Sequence, residues 1–179
     1  MKINVIRSAK ECAYLAVFVA LVIAAQLALS IVPGVEVVTV LFVSYSFVFG
    51  WKRGMIAATA FSLLRQLIFG VHPMVLILYL IYFNLLAALF GVLGKKIKAP
   101  VRWLVLLTLI ACLCTVCFTM LDNVLTPLWY GYTARAAKVY FYASFTTMIP
   151  QTICTAVTVV GLFLPVWKAF SSVKKTLVR

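Results

Sequence analysis

Long apolar runs dominate this chain, and short breaks that contain glycine, proline or basic residues separate them. A helix needs about 20 apolar residues to cross the hydrocarbon core of a bilayer. The runs predict six helices, at residues 12–32, 37–51, 54–69, 74–93, 103–125 and 139–164. The second run is short for a full crossing, and a tight basic turn at residues 51–54 joins it to the third. We therefore expect these two helices to pack as a hairpin.

Composition places the chain in the membrane class. Hydrophobic residues make up 66% of the sequence and charged residues only 11%, whereas a soluble domain is about half apolar and about a quarter charged. The 179 residues leave room for one domain. We predict an all-α integral membrane protein, with a single membrane domain over residues 1–179 that forms a six-transmembrane-helix bundle.

The distribution of cationic residues predicts the orientation. If the N-terminus lies inside, 13 of the 16 Lys and Arg residues fall on inner segments. Arg135 and Lys138 fall outside, and Arg65 lies within a span. The positive-inside rule then places both termini in the cytoplasm. The net charge of +13 does not indicate nucleic acid, because the cations cluster between apolar runs, where they face anionic lipid.

Several functional classes are disfavoured. The chain has no Walker phosphate loop, no zinc-protease motif and no nucleophile elbow, and it has one His and three carboxylates. We predict no enzyme activity and no cofactor. Cys112, Cys114 and Cys117 suggest either metal ligands or small apolar residues of a bilayer helix. The second interpretation is favoured because no His or carboxylate stands beside them. The basic N-terminus resembles a secretory signal, but its apolar run is longer than signals have, which favours a retained helix.

The first helix repeats a small residue every four positions. Ala16, Ala20, Ala24 and Ala28 stay on one side of a helix, because four residues advance it by about 400°. Small residues at this spacing let a second helix approach closely, and in lipid such packing drives association. The partner helix belongs either to this bundle or to another chain.

Arg65 is the charged residue at bilayer depth. A charge there costs at least about 2.5 kcal/mol on insertion scales. Its planar guanidinium suits a carboxylate or phosphate in an internal cavity. The alternative is a structural ion pair with Glu36 or Asp122, which we expect near the same outer face.

Other polar side chains complete a candidate binding site. Asn84 should lie near the bilayer midplane, where its amide needs a partner from a neighbouring helix or from a ligand, and Gln151 raises the same question. Tyr79 lies in the outer half of the fourth helix, where belt aromatics and ligand-stacking rings both occur. The candidate substrate-binding residues are Arg65, Asn84, Asp122, Asn123, Gln151, Glu36 and Tyr79.

Three stretches carry a resemblance to a known family. They are the basic start Arg7-Ser8-Ala9-Lys10, the alanine repeat of the first helix, and residues 33–39 (Pro-Gly-Val-Glu-Val-Val-Thr), which lead to Phe-Gly-Trp-Lys-Arg-Gly at 49–54. With its length and six-helix pattern, the chain resembles the substrate-binding S component of energy-coupling factor (ECF) vitamin transporters. The last stretch is similar to that family's Phe-Gly-x-x-x-Gly turn between helices two and three.

The resemblance implies a function and partners. An S component holds a vitamin or vitamin precursor near the outer face and docks through an Ala-x-x-x-Ala pattern onto a membrane coupling subunit, which two cytosolic ATPases power. Carried over here, Ala16, Ala20 and Ala24 would form the docking face. Two alternatives remain open: a membrane scaffold of the MreD kind, which would use the alanine repeat for assembly alone, and a small self-sufficient or dimeric transporter.

Overall fold

The computed structural model describes residues 9–31 and 37–178, and of residue 178 only the backbone. These residues form six helices and no strand, which confirms the all-helical class. The helices are α1 (Ala9–Leu29), α2 (Val38–Phe49), α3 (Trp51–Phe69), α4 (Pro73–Lys96), α5 (Leu104–Tyr130) and α6 (Ala134–Val178). Residues 33–36 of the family-like stretch, with Glu36, lie outside the described residues, as do Lys2, Arg7 and Arg179.

The helices extend beyond the apolar runs at several ends. The basic residues Lys10, Lys52, Arg53 and Lys95 all lie within helices, and α6 has 45 residues where the apolar run predicted residues 139–164. Lys and Arg are good helix formers. A helix therefore continues after its hydrophobic run has ended. Residues 51–54, predicted as a break, are helical, and the break lies at Gly50 instead.

Among the described residues, four helices are long and apolar enough to cross a membrane: α1, α4, α5 and α6. At about 1.5 Å per residue, the 12 residues of α2 span only about 18 Å, less than the roughly 30 Å of a bilayer core. Helix α3 has 19 residues but carries Lys52, Arg53 and Arg65. The predicted second and third helices therefore differ from the other four in length or in charge.

Helix α2 forms the centre of the bundle. Ten of its 12 residues are buried, and it packs against α4, α6, α3 and α1. Phe42 contacts the rings of Phe18, Phe61 and Phe83, which come from three different helices. A helix that is apolar on all sides is expected in a protein interior. Because protein surrounds α2, its short length does not expose polar backbone to lipid.

Close backbone contacts join the α2–α3 hairpin to α4. Gly50 turns the chain between α2 and α3 with a φ of 86°, a value that residues with a side chain rarely adopt. On α4, Gly91 lies against the backbone of Trp51, and Gly94 lies against the carbonyl group of Phe47. Glycines three residues apart on α4 thus leave room for the hairpin to approach.

The contacts between helices define two ends of the bundle. Arg53, at the start of α3, forms an ion pair of 2.7 Å with Glu11, at the start of α1. At this same end, Lys174 near the end of α6 donates a hydrogen bond to the carbonyl oxygen of Val48, near the end of α2. We call this the basic end, since it carries ten described cations: Lys10, Lys52, Arg53, Lys95, Lys96, Lys98, Arg102, Lys168, Lys174 and Lys175. The far end carries Arg65, Arg135 and Lys138.

Candidate functional site

Arg65 lies in a small group of side chains near the far end. Its Nε donates a hydrogen bond of 3.2 Å to Oε1 of Gln26 on α1. The guanidinium carbon lies 4.5 Å from the ring centre of Tyr79 and 4.7 Å from that of Phe69. Gln26 in turn donates a hydrogen bond of 3.3 Å to the Tyr79 hydroxyl group. We call these four residues the Arg65 cluster, and they join α1, α3 and α4.

The structural ion pair considered for Arg65 is not formed with Asp122. Among the described residues, neither side chain has an oppositely charged partner. A guanidinium has five N–H donors, and Gln26 accepts the only hydrogen bond that Arg65 donates within the described chain. The remaining donors are therefore able to bind an anionic group.

A second group of polar residues lines a cleft between α5 and α6, with a volume of about 270 Å³. Phe118, Asp122, Tyr140, Ser144, Thr147 and Gln151 are in its wall. Asp122 accepts hydrogen bonds from the hydroxyl groups of Thr126 at 2.7 Å and Tyr140 at 2.6 Å. This cleft, the α5–α6 cleft, therefore contains a carboxylate that hydroxyl donors hold in place and that no described cation neutralises.

Asn123 lies beside the α5–α6 cleft. Its Nδ2 donates a hydrogen bond of 2.8 Å to the hydroxyl group of Ser144 on α6. Its Oδ1 is buried and accepts no hydrogen bond from the described residues. A buried acceptor without a donor is costly, so a donor group of a ligand or a water molecule would stabilise it.

Aromatic rings connect the two groups. Phe118 lines the α5–α6 cleft, and its ring centre lies 5.9 Å from that of Tyr79 in the Arg65 cluster. The predicted residues Arg65 and Tyr79 thus lie together, as do Asp122, Asn123 and Gln151. The edge-to-face contact between Tyr79 and Phe118, with an angle of 66° between the rings, joins the two groups.

Asn84 has a different position from the other candidates. Its Oδ1 accepts a hydrogen bond of 3.3 Å from Thr59 on α3, and its Nδ2 donates one of 2.8 Å to the carbonyl oxygen of Leu80 in its own helix. The amide was expected to have a partner on a neighbouring helix or in a ligand, and the structure shows the partner on the neighbouring helix. Asn84 joins α3 to α4 and does not line the cleft.

The alanine repeat of α1 faces away from the bundle. Ala16, Ala20, Ala24 and Ala28 are all exposed. The opposite side of the helix carries the buried residues Phe18, Val19, Val22 and Ile23. The repeat was expected to pack either against a helix of this bundle or against another chain. No helix of the described bundle covers it, so this surface faces lipid or another chain. We call it the alanine face.

Sequence reasoning missed several residues of these groups: Gln26, Thr126, Tyr140 and Ser144. Gln26 had a usable signal, because it is the one amide in the otherwise apolar second half of α1. Tyr140 had no such signal, because its bond to Asp122 depends on how α5 and α6 align. The hydrophobic periodicity of one helix gives no information about how two helices align.

We expect Asp122→Asn to destabilise the protein by about 1–3 kcal/mol. The carboxylate accepts two hydroxyl hydrogen bonds, and bonds to a charged group contribute about 1.5–3 kcal/mol. An amide keeps one acceptor oxygen, so either Thr126 or Tyr140 loses its partner. The free energy of unfolding in detergent measures the loss.

Tyr140→Phe tests the same bond from the other side, and Tyr142→Phe, at an exposed position on α6, is the control. Removing the Tyr140 hydroxyl should cost less in the Asp122→Asn background than in the wild type, since the bond is then already weakened. Equal costs in both backgrounds would show that the Tyr140–Asp122 bond adds nothing to stability.

No group of three or more His, Cys, Asp or Glu side chains able to hold a metal ion occurs among the residues that the structure describes. Compared with known proteins, the chain matches no family model, no curated protein and no solved structure. The resemblance to S components therefore stays a prediction from the sequence.

Proposed function

We propose that this chain is the substrate-specific S component of an ECF-type ATP-driven importer. It would bind a vitamin or vitamin precursor near the outer face of a prokaryotic cell membrane. A membrane coupling subunit and two cytosolic ATPases would supply the energy, and the chain would have no catalytic activity of its own. The observation that carries this proposal is the alanine face, which is exposed along α1.

The alanine face supports docking because of what lies on each side of α1. Large apolar residues such as Phe18 and Val22 pack into the bundle, while Ala16, Ala20 and Ala24 face outward. Lipid tails gain nothing from small side chains, whereas a partner helix can approach a small-residue surface closely and gain van der Waals contact. The surface therefore suits a protein partner better than it suits lipid.

The position of the polar groups supports a receptor site. By the positive-inside rule the basic end would lie in the cytoplasm, and the far end, with the Arg65 cluster, would face outward. All six helices would belong to the membrane domain, with α2 enclosed by protein. The α5–α6 cleft, of about 270 Å³, is close to the lower limit of roughly 300 Å³ for small-molecule sites. A single-ring precursor is of suitable size.

The charges of the two groups suggest which parts of a ligand each would bind. Arg65 has N–H donors in excess and would bind an acidic group of the ligand. Asp122 has only hydroxyl partners and would accept a hydrogen bond from an amino or ring N–H group. Phe118 and Tyr79 lie between them and would contact a flat apolar part.

Purification of the tagged chain from its native membrane tests the proposal. We expect a coupling subunit and two ATPases to co-purify, and mass spectrometry of the denatured sample to identify a retained small molecule. Arg65→Ala should weaken binding of that molecule by roughly 10- to 100-fold, since a hydrogen bond to a charged group contributes about 1.5–3 kcal/mol.

Arg135→Ala provides the matched control, because Arg135 is an exposed cation at the same end but outside the Arg65 cluster. The Arg135→Ala variant should bind the ligand with the same affinity as the wild type. Recovery of the chain with cell-shape proteins, and without ATPases or a small molecule, would instead support a membrane scaffold. Uptake in a strain that lacks the ATPases would support a self-sufficient transporter.

A further inference from the structure

A wide cavity of about 1040 Å³ opens at the basic end of the bundle. It lies where α2 and α4 end and the last turns of α6 pass them. Lys95 and Lys98 line it from the end of α4 and the segment that follows, and Lys174 and Lys175 line it from α6. This cavity is separate from the Arg65 cluster and from the α5–α6 cleft, and no motif in the sequence indicated it.

The charges around the cavity are unbalanced. Four ammonium groups line it, and none of its described lining residues is Asp or Glu. The one described carboxylate at this end, Glu11, is held by Arg53 at 2.7 Å. Like charges that share a cavity repel one another, and an anion between them relieves the repulsion. The cavity is therefore complementary to a negatively charged group.

The lysines have different structural roles. Lys174 donates a hydrogen bond to the carbonyl oxygen of Val48, which fixes it to the C-terminal end of α2. Lys95, Lys98 and Lys175 are exposed, and no hydrogen bond or ion pair holds their ammonium groups within the described chain. Three of the four cations are thus free to contact an anion.

The apolar part of the lining distinguishes a lipid from a free ion. Phe47, Ile97 and Trp167 line the cavity together with the lysines. Trp side chains favour the level of lipid headgroups, where an apolar ring meets a polar surface. The cavity volume is also many times the roughly 30 Å³ that one water molecule occupies in the liquid, so a small inorganic anion would leave most of it unfilled.

We propose that this cavity binds an anionic phospholipid. The lipid phosphate would lie against Lys95, Lys98 and Lys175, and the first part of the acyl chains would contact Trp167 and Ile97. Basic pockets between helices on the cytoplasmic side of membrane proteins bind such headgroups. The bound lipid would link the ends of α2, α4 and α6. This inference does not depend on the proposed transport function.

Lipid binding to the purified full-length chain tests the proposal. Short-chain phosphatidylglycerol, short-chain phosphatidylcholine and inorganic phosphate are each titrated against the protein in mild detergent, with thermal stability and native mass spectrometry as readouts. We expect phosphatidylglycerol to bind at least tenfold more tightly than phosphatidylcholine and to raise the unfolding temperature. Equal binding of the two lipids would overturn the proposal. Displacement of the lipid by an equal concentration of phosphate would also overturn it, since the site would then recognise a free anion.

Two triple variants locate the site. The first variant combines Lys95→Gln, Lys98→Gln and Lys175→Gln. Its preference for phosphatidylglycerol over phosphatidylcholine should be at least tenfold lower than that of the wild type. The matched control combines Lys10→Gln, Lys52→Gln and Lys168→Gln. It removes three exposed cations of the same end that do not line the cavity, and it should keep the wild-type preference. Equal losses in both variants would assign the effect to the general charge of this end and would overturn a specific site. Lys174 is left in place because it contacts α2.

Discussion

Gly91→Ala is expected to destabilise the bundle by about 3 kcal/mol, the upper part of the range for over-packed interiors. A methyl group at this position would overlap the backbone nitrogen and Cα of Trp51. Backbone atoms cannot rotate away as the end of a side chain can. Helix α4 must therefore move away from the α2–α3 turn, which also disturbs the contact of Gly94 with Phe47. Thermal unfolding of the purified protein, followed by circular dichroism, measures the loss.

Gly161→Ala is the matched control, because it makes the same change inside a helix where a methyl group meets no atom within 4 Å. Alanine has the higher helix propensity, by about 1 kcal/mol in water, so the control should unfold at the same temperature as the wild type or slightly above it. If Gly91→Ala unfolded at the wild-type temperature, the close approach of α4 to the hairpin would be wrong.

Ala20→Trp is expected to reduce recovery of the proposed membrane partner strongly and to leave the fold unchanged. Ala20 lies in the middle of the alanine face and is exposed, so an indole group there clashes with nothing in the described bundle. A partner helix that depends on close approach is held away by the indole ring and loses its packing. We expect at least roughly a tenfold lower yield of the partner in affinity purification, equivalent to about 1.4 kcal/mol, with unchanged unfolding temperature and ligand binding.

Leu21→Trp is the control for this experiment. Leu21 is 49% exposed and lies at the same depth as Ala20, but it is about 100° further around the helix, at the edge of the alanine face. It should recover the partner as the wild type does. Equal recovery with Ala20→Trp would refute the docking role, and equal loss with Leu21→Trp would indicate a partner surface much broader than the alanine face.

The sequence was sufficient for the all-helical class and for the number of helices. Hydrophobic runs separated by glycine and proline predicted six helices, and the residues that the structure describes form six, four of them long and apolar enough to cross a membrane. The runs were less informative about where helices end, because hydropathy marks the edge of an apolar region and not the last backbone hydrogen bond. Helix α6 illustrates this difference: it continues from the predicted end at residue 164 to Val178 through Pro165 and a Lys-rich segment.

The candidate sites were predictable only in part. The depth of Asn84 showed that its amide needs a partner, but only the packing of α3 against α4 identifies Thr59 as that partner. Arg65 and Asp122 were candidates for one ion pair, and the structure gives them separate neighbours. The lysine-lined cavity joins residues about 80 positions apart in the chain, Lys95 with Lys175. Local sequence patterns do not encode such long-range neighbours.

The shortness of α2 has a consequence for biosynthesis. At about 18 Å, α2 is too short to be stable in a bilayer by itself, and α3 brings three cations with it. Neither helix would leave the insertion machinery as an independent segment, so the pair would enter lipid only when α4 is available to receive it. The order of membrane integration would then differ from the order of synthesis, and truncation before Gly91 should leave the remaining first half of the chain prone to degradation.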